Sequence, residues 1–437
     1  MSAGVRRTFD SLSVPNYRRY FAGQVVSITG NWMQIIAEMW LIVQLTGSGV
    51  SVGLTAALQF LPMLLFGAWG GLLADRVPKL RLLQYTQALM ALPALTLWAL
   101  VATGHVTTLI VFALVLARGS VLAIDNPARQ SFVMELVGHD RIVNAVALNS
   151  VVVHTSRIAG PALAGTVIAV LGVGPCFALN ALSFVAMLVA LRGMDREQLH
   201  ISPTAKRAPG DVRLAFRHVT STPALWVPLG AMVVVGTLSF NFQVLMPLLA
   251  HTTWHGTATT YALMTMAMGV GSVSGALATS LLGRVSPRMI VGAATAFGVF
   301  ELLAAVAPSL PLQILALVPL GAVSVTFAAG VNSSMQLAAA PSMRGRVMSL
   351  YSVVFLGSTP IGAPLVGWLA EVASPRAGLA LGGAAALVAA AGARIAYAKA
   401  MPGATRASTS RGPEAEIASR SASRNAPASS TRVLGTP

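Results

Sequence analysis

Two carboxyls, Glu38 and Glu301, and two guanidiniums, Arg118 and Arg157, interrupt long apolar runs of this chain. A carboxyl held out of water can take up and release a proton near neutral pH, so both glutamates are candidate proton carriers. A guanidinium in the same setting is costly unless it is paired or faces a water-filled cavity, and its planar fork suits anions. Arg118 and Arg157 fall at similar separations on either side of a turn expected near Val137. Two antiparallel helices would therefore carry them at similar depth. His154 precedes Arg157 by one helical turn on the same face. The three are candidates to bind an anionic substrate. The alternative for Arg157 is hydrogen bonding to helix ends and backbone within its own bundle. In the second half, the uncharged Asn241, Gln243, Asn332 and Gln336 could orient a substrate or bond one helix to another.

A second set of charges lies at the edges of the apolar runs. One segment reads Gly71-Leu-Leu-Ala-Asp75-Arg76-Val-Pro-Lys79-Leu-Arg81, the other Asp125-Asn-Pro127-Ala-Arg129-Gln130. Asp75 and Arg129 are opposite charges at one expected depth, and in a partly dehydrated setting they attract more than in water. Gly160-Pro161 and the run from Pro360 to Pro364 have a mechanical reading, because proline removes a backbone hydrogen bond and bends a helix. Corresponding bends in two halves would suit bundles that rock against each other.

These residues need membrane helices to hold them. The chain is 55% hydrophobic and only 10% charged, with a mean hydropathy of +0.73. About twelve runs reach the roughly 20 apolar residues of a bilayer-spanning helix. They lie near 20–45, 49–74, 80–102, 106–131, 142–171, 175–194, 223–249, 257–283, 288–307, 311–338, 345–371 and 377–399. A soluble protein could bury one or two such runs, not all of them. The expected organisation is an N-terminal segment 1–19, a six-helix bundle 20–194, a polar linker 195–222, a second bundle 223–399 and a tail 400–437. The linker holds a candidate basic amphipathic helix, Val212 to Val219, suited to an anionic leaflet. The tail is too poor in apolar residues to fold and is expected to be disordered. A constant shift lays Ser131 on Ser334, Arg141 on Arg344, Ile158 on Ile361 and Pro161 on Pro364, the internal repeat expected of a secondary transporter.

The net charge of +16 suggests a nucleic-acid partner until the charges are placed. Of the 29 Lys and Arg, all but Arg118, Arg157 and Arg376 fall on the side of the N-terminus. That is the positive-inside pattern, and it predicts two cytoplasmic termini and no nucleic-acid partner. Cys176 is the single cysteine, so neither a disulfide framework nor a thiolate metal cluster is expected. The first sixteen residues are polar and basic, and the run that follows is too long for a signal h-region, so no cleavable signal is expected. There is no Gly-x-x-x-x-Gly-Lys-(Ser/Thr) loop, and no two histidines show metal-ligand spacing within one span. A membrane-embedded enzyme or a subunit of an ATP-driven pump is therefore a remote alternative.

With Gly71, Leu73, Ala74, Asp75, Arg76 and Lys79 in one loop, the chain resembles the major facilitator superfamily. Asp125 to Gln130, and Ser156-Arg157-Ile158-Ala159-Gly160-Pro161 through Gly165, resemble the bacterial exporter group that includes enterobactin and macrolide effluxers. The loop departs from the family pattern at Pro78 and Leu80. The resemblance covers roughly residues 14 to 399. It implies an all-α membrane fold with twelve helices in two pseudo-symmetric six-helix bundles. It implies proton-coupled efflux of small amphipathic or anionic molecules by alternating access, with an uptake permease or uniporter as the alternative that the Gly-Pro signature opposes. It further implies that Asp75 pairs with Arg129 to latch the outward-open state; Asp125, close to Arg129 in the chain, is a further candidate for that gate network. Span one lines the central cavity in the family and span nine usually faces outward, which favours Glu38 over Glu301. The implied partners are a small-molecule substrate, protons and the bilayer of a bacterial inner membrane, around a monomer with no cofactor.

Overall fold

The computed structural model describes residues 10–200, 212–282, 286–340 and 343–400. Arg6 and Arg7 of the N-terminal segment, Lys206 and Arg207 of the linker, and the tail from residue 401 lie outside the described residues. Among those described, every regular element is a helix. Spans one, two and three are Pro15–Thr46, Gly49–Arg76 and Lys79–Ala102. Span six is Gly174–Arg192, and spans eight to twelve are Ala258–Leu282, Pro287–Val306, Leu310–Ala338, Arg344–Val372 and Pro375–Ala400. A short helix, Val212–Ser221, stands at the linker position expected to be amphipathic.

Spans four and five follow each other without a connecting loop over Thr108–Leu171, 64 residues. At 1.5 Å per residue a single helix of that length would reach about 96 Å, some three times the hydrocarbon thickness. The stretch is divided at Gly138, whose φ of 70° and ψ of −173° are non-helical. Only glycine enters that region without strain. The sequence pattern implied a loop between two runs there; the chain instead turns at a single residue.

Span seven is also interrupted. Pro223–Leu238 ends at Ser239, the backbone is irregular through Asn241, and the helix resumes as Phe242–Leu248 before a π-helical turn, Leu249–Thr253. Irregular backbone at membrane depth is tolerated where protein or a water-filled cavity satisfies it.

Spans one to six form one bundle and seven to twelve another. In the first, span one packs against spans four, five and six; in the second, spans eight and nine with ten, nine with twelve, and seven with eleven and twelve make the main contacts. Large apolar side chains such as Trp69, Leu109 and Val388 remain exposed around the outside, as a lipid-facing belt requires.

The bundles meet along spans two and eleven and along spans five and eight. On the first seam, contact runs from Gly49 and Gly367 to Leu64 and Gly357. On the second, Gly165 meets Ala262 and Gly269 meets Ile158. All these residues lie away from the end bearing the N-terminus, called here the basic face. Toward that face the partners separate: a side chain at Gly71 or Gly345 would meet open space, and Val143 and Leu281 are more than 80% exposed. Among the described residues, the halves meet at the face opposite the basic face and stand apart toward the basic one.

Gly138→Ala is expected to lower the melting temperature of the detergent-solubilised protein, by an amount equivalent to about 1–3 kcal/mol of backbone strain. A Cβ there would meet only the His200 ring at ordinary contact distance, so the loss would be conformational rather than steric. An unchanged melting temperature in scanning fluorimetry would show that the division does not depend on this residue.

Candidate functional site

The site starts from one face of span one. Asn31, Gln34 and Glu38 stand at i, i+3 and i+7, so a single helical stripe carries three polar groups into a packed interior. Glu38 and Gln34 are fully buried. Arg118 of span four reaches this stripe and is almost wholly buried as well. Its Nη2 donates to Glu38 Oε2 at 2.6 Å, and its Nη1 donates to Asn31 Oδ1 at 2.9 Å. The other Glu38 oxygen, Oε1, accepts from Gln34 Nε2 at 2.6 Å. Gln34 in turn accepts from the amide of Asn180 in span six, and Asn180 Oδ1 accepts from Ser183 at 2.8 Å. A chain of hydrogen bonds thus ties spans one, four and six around one buried ion pair. Arg118 Nε is the buried polar atom of this pair left without a partner.

Glu38 and Arg118, expected to act separately as proton carrier and anion anchor, are therefore each other's counter-ion. Arg157 differs. Its guanidinium lies over the Trp32 ring, 5.2 Å from the centroid, and no carboxylate pairs with it among the described residues. Trp32 follows Asn31 on span one, so the two arginines meet adjacent residues of the same helix. His154 is half-buried, and its Nδ1 is buried without a hydrogen-bond partner. Gly160 brings span five onto span one: a Cβ there would press on the Trp32 Cβ and the backbone at Thr29 and Met33. The helix continues through Pro161, so in this conformation the Gly-Pro pair is a packing contact that seats Trp32.

Toward the basic face, the expected contact between Asp75 and Arg129 is not made in this conformation. Arg129 donates through Nε to Asp125, one turn earlier in its own helix, and through Nη1 to Gln24 of span one. Asp125 is buried and also accepts from Thr86 at 2.5 Å and Gln87 at 2.8 Å, both in span three. Gln24 completes the network by donating to Tyr20 at 2.6 Å. Asp75 is half-buried without a hydrogen-bond or ion-pair partner among the described residues, and Arg76 is exposed. The physical reason is availability: Asp125 is held in reach of Arg129 by its own helix, whereas Asp75 stands at the open end of the seam between the halves. Lys79 of the same loop pairs with Glu135 at 2.6 Å.

The second half contributes less charge. Glu301 in span nine is fully buried against Gly382 of span twelve, and neither of its carboxylate oxygens has a hydrogen-bond partner. Asn241, at the break in span seven, donates to Thr237 at 2.7 Å and keeps a buried, unpartnered Oδ1. Gln243 donates across the halves to Gln59 of span two at 3.4 Å. Asn332 and Gln336 pair with each other at 2.6 Å near the basic end of span ten. The structure thus unites Glu38, Arg118 and, through span one, Arg157; it leaves Glu301, Asn332 and Gln336 apart from them.

Trp32, Gln34 and Asn180 were not expected at the site. The i, i+4 spacing of Gln34 and Glu38 was a readable signal for one of them; nothing in the spacing placed Asn180 beside it.

Comparison with known proteins agrees with this architecture. The profile of the transmembrane secretion effector family, in the major facilitator superfamily, matches residues 7–428. The enterobactin exporter EntS of Citrobacter koseri is 25% identical over 383 residues, covering 84% of this chain and 88% of that protein. The multidrug efflux pump Tap of Mycolicibacterium fortuitum is 26% identical, covering 79% and 86%. The staphyloferrin A transporter of Staphylococcus aureus is 24% identical, with 61% of this chain matched to 66% of that protein. Among solved structures, the nucleoside transporter NupG superposes with a TM-score of 0.66 at 12% identity, covering 87% of this chain and 99% of NupG. A bacterial homologue of the lysosomal transporter Spinster gives 0.64 at 14% identity, covering 88% and 96%. These are transporters, and the matched family is one of transporters rather than enzymes. With that profile matched along almost its whole length, the chain belongs to the transmembrane secretion effector family of the major facilitator superfamily.

Proposed function

We propose that this transporter exports small amphipathic or anionic molecules across a bacterial inner membrane, coupled to protons, with the basic face and both termini in the cytoplasm. The observation that carries the substrate reading is Arg157, a guanidinium at membrane depth stacked on Trp32 with no carboxylate to neutralise it among the described residues. Arg118 is already met by Glu38, so the cluster keeps one surplus positive charge. An anion docked at Arg157 would neutralise it, and an aromatic or apolar body would lie along Trp32. Names of related proteins, EntS and Tap among them, support the outward direction. The asymmetry of Lys and Arg supports the orientation. The open face then lies toward the cytoplasm, where a substrate for export enters.

Glu38 is the proposed proton carrier. Linkage sets the sign of its coupling. A proton and a cationic amphipath both compete with Arg118 for the Glu38 carboxylate, so each excludes the other and exchange follows. An anion at Arg157 occupies a different group, so this competition couples protons to cationic amphipaths and not to anions. A monomer suffices for this scheme, since every named group lies in one chain.

The test is reconstitution into liposomes with a trapped pH dye, against a panel of organic anions and lipophilic cations. Proton movement that depends on substrate, and is lost in Glu38→Gln, is the expected result; substrate transport without proton movement would sink the coupling. Arg157→Ala is expected to raise KM for anions about tenfold, the loss of one charge-assisted contact, and to leave cations unaffected. Arg118→Ala strands a buried carboxylate and is expected to cost about 3–5 kcal/mol of stability. Glu38→Gln combined with Arg118→Met should recover most of the lost melting temperature without recovering coupled transport.

A further inference from the structure

The closed face is held by a contact between the halves that is chemically specific. Span two begins at Gly49 with Ser48 as its N-cap residue, the Ser48 hydroxyl accepting from the Ser51 amide at 3.2 Å. An N-terminal turn leaves backbone amides without helical partners and carries partial positive charge. Glu371, in the last turn of span eleven and so in the other half, supplies the missing acceptor. Its Oε2 accepts from the Ser48 hydroxyl at 2.6 Å and from the Val50 amide at 3.0 Å. One carboxylate oxygen from the second bundle thus completes the cap of a helix in the first.

The surroundings make that contact conditional on closure. Beneath it, spans two and eleven touch backbone to backbone: a Cβ on Gly49 or Gly53 would strike the carbonyl of Gly367 or Ala363, and one on Gly367 that of Gly49. Those backbones must part before the face can open, and Glu371 then loses both donors. In the same layer, Trp40 of span one lies edge-on to His251 in the π-helical turn of span seven, with centroids 6.0 Å apart, and stacks on Tyr261 of span eight at 6.5 Å. The aromatic contact fills the centre of the closure while Glu371 fastens its rim. Glu371 is itself exposed and borders a vestibule of about 320 Å³ lined also by Gly47, Leu248, Thr252 and Ser374. Water can therefore take over its hydrogen bonds when the halves separate.

We infer that Glu371 is a gate residue of transport, holding the face opposite the basic one closed by capping span two across the halves. It works on the same helix pair as Asp75, at the other end. Span two carries Asp75 at its basic end, without a partner among the described residues, and Ser48 at the opposite end, engaged while that end is closed. A solvent-exposed, charge-assisted cap is weak enough for a substrate cycle to break and strong enough to bias a two-state equilibrium. The inference does not depend on the substrate or the coupling ion proposed above.

The experiment reads the opening at each face. Cys176 is fully buried, so introduced cysteines can be labelled against a low background. Nitroxides at His105→Cys and Val306→Cys report the closed face, and those at Val143→Cys and Leu281→Cys report the basic face; all four positions are exposed. Distances are measured by pulsed electron resonance in the full chain, in lipid nanodiscs. Glu371→Ala is expected to raise the ratio of long to short distances at the 105/306 pair roughly five- to tenfold, the effect of losing one helix cap. The 143/281 pair should shorten in parallel. Ser48→Ala, which removes one of the two donors, should move both pairs in the same direction by less. Glu371 is exposed, so a folded variant is expected, and an unaltered size-exclusion profile verifies it. Distance distributions in Glu371→Ala that match the parent at both faces would overturn the inference, as would widening at the 105/306 pair with no change at the 143/281 pair, which would mark local loosening and not a gate.

Discussion

A guanidinium inside hydrocarbon has few places to go, and the position of Arg118 constrains much of the first bundle. Its charge is met by Glu38 on span one, and the second oxygen of that carboxylate is taken by Gln34. Gln34 passes the demand to Asn180 on span six. Removing any member exposes the next to desolvation without a partner, so the spans are tied in register as well as in proximity. The face of span one that results also presents Trp32 to Arg157, and Gly160 lets span five come close enough for that stacking. The substrate reading therefore rests on the same constraint that organises the bundle.

The two ends of the molecule use polar groups differently. Near the basic face, Asp125, Arg129, Gln24, Tyr20, Thr86 and Gln87 form a network confined to the first half. Such a network stiffens a bundle without binding it to its neighbour. At the opposite face, polar contacts cross between halves: Glu371 with Ser48 and Val50, and Gln243 with Gln59. The strong, buried ion pairs lie within the first body, and the charged contact between bodies, at Glu371, is exposed to solvent. That distribution is what a rocking mechanism needs, because only the contacts between bodies must break in each cycle.

Much of the architecture was legible in the residues. The apolar runs located the spans because hydrocarbon accepts no unsatisfied backbone, so a long apolar run has few alternatives to a helix. The turn expected near Val137 fell at Gly138, although the chain turns on that residue alone and not through a loop. Glu38 and Arg118 were both singled out as charges that apolar surroundings would make expensive. Their pairing was not legible, since depth along a helix can be counted from sequence but the direction in which its face points cannot. Asp75 and Arg129 show the same limit from the other side: equal depth suggested a bond that this conformation does not make. Glu371 carried no signal, because a glutamate at a span end resembles any interfacial charge and its partner Ser48 lies 323 residues away.

Sequence by itself determined what each residue could tolerate: which segments must be helical, which charges would need partners, which face would bear the basic loops. Those outcomes follow from the transfer cost of single groups, and composition and spacing report that cost directly. Only the tertiary structure decided which partner each charge took and which end of the molecule was closed. These depend on how whole bundles rotate and tilt against one another, through contacts such as Trp40 with His251 and Glu371 with Ser48. Such contacts join residues far apart in the chain, and each is too small a part of the total energy to leave a local pattern in the sequence.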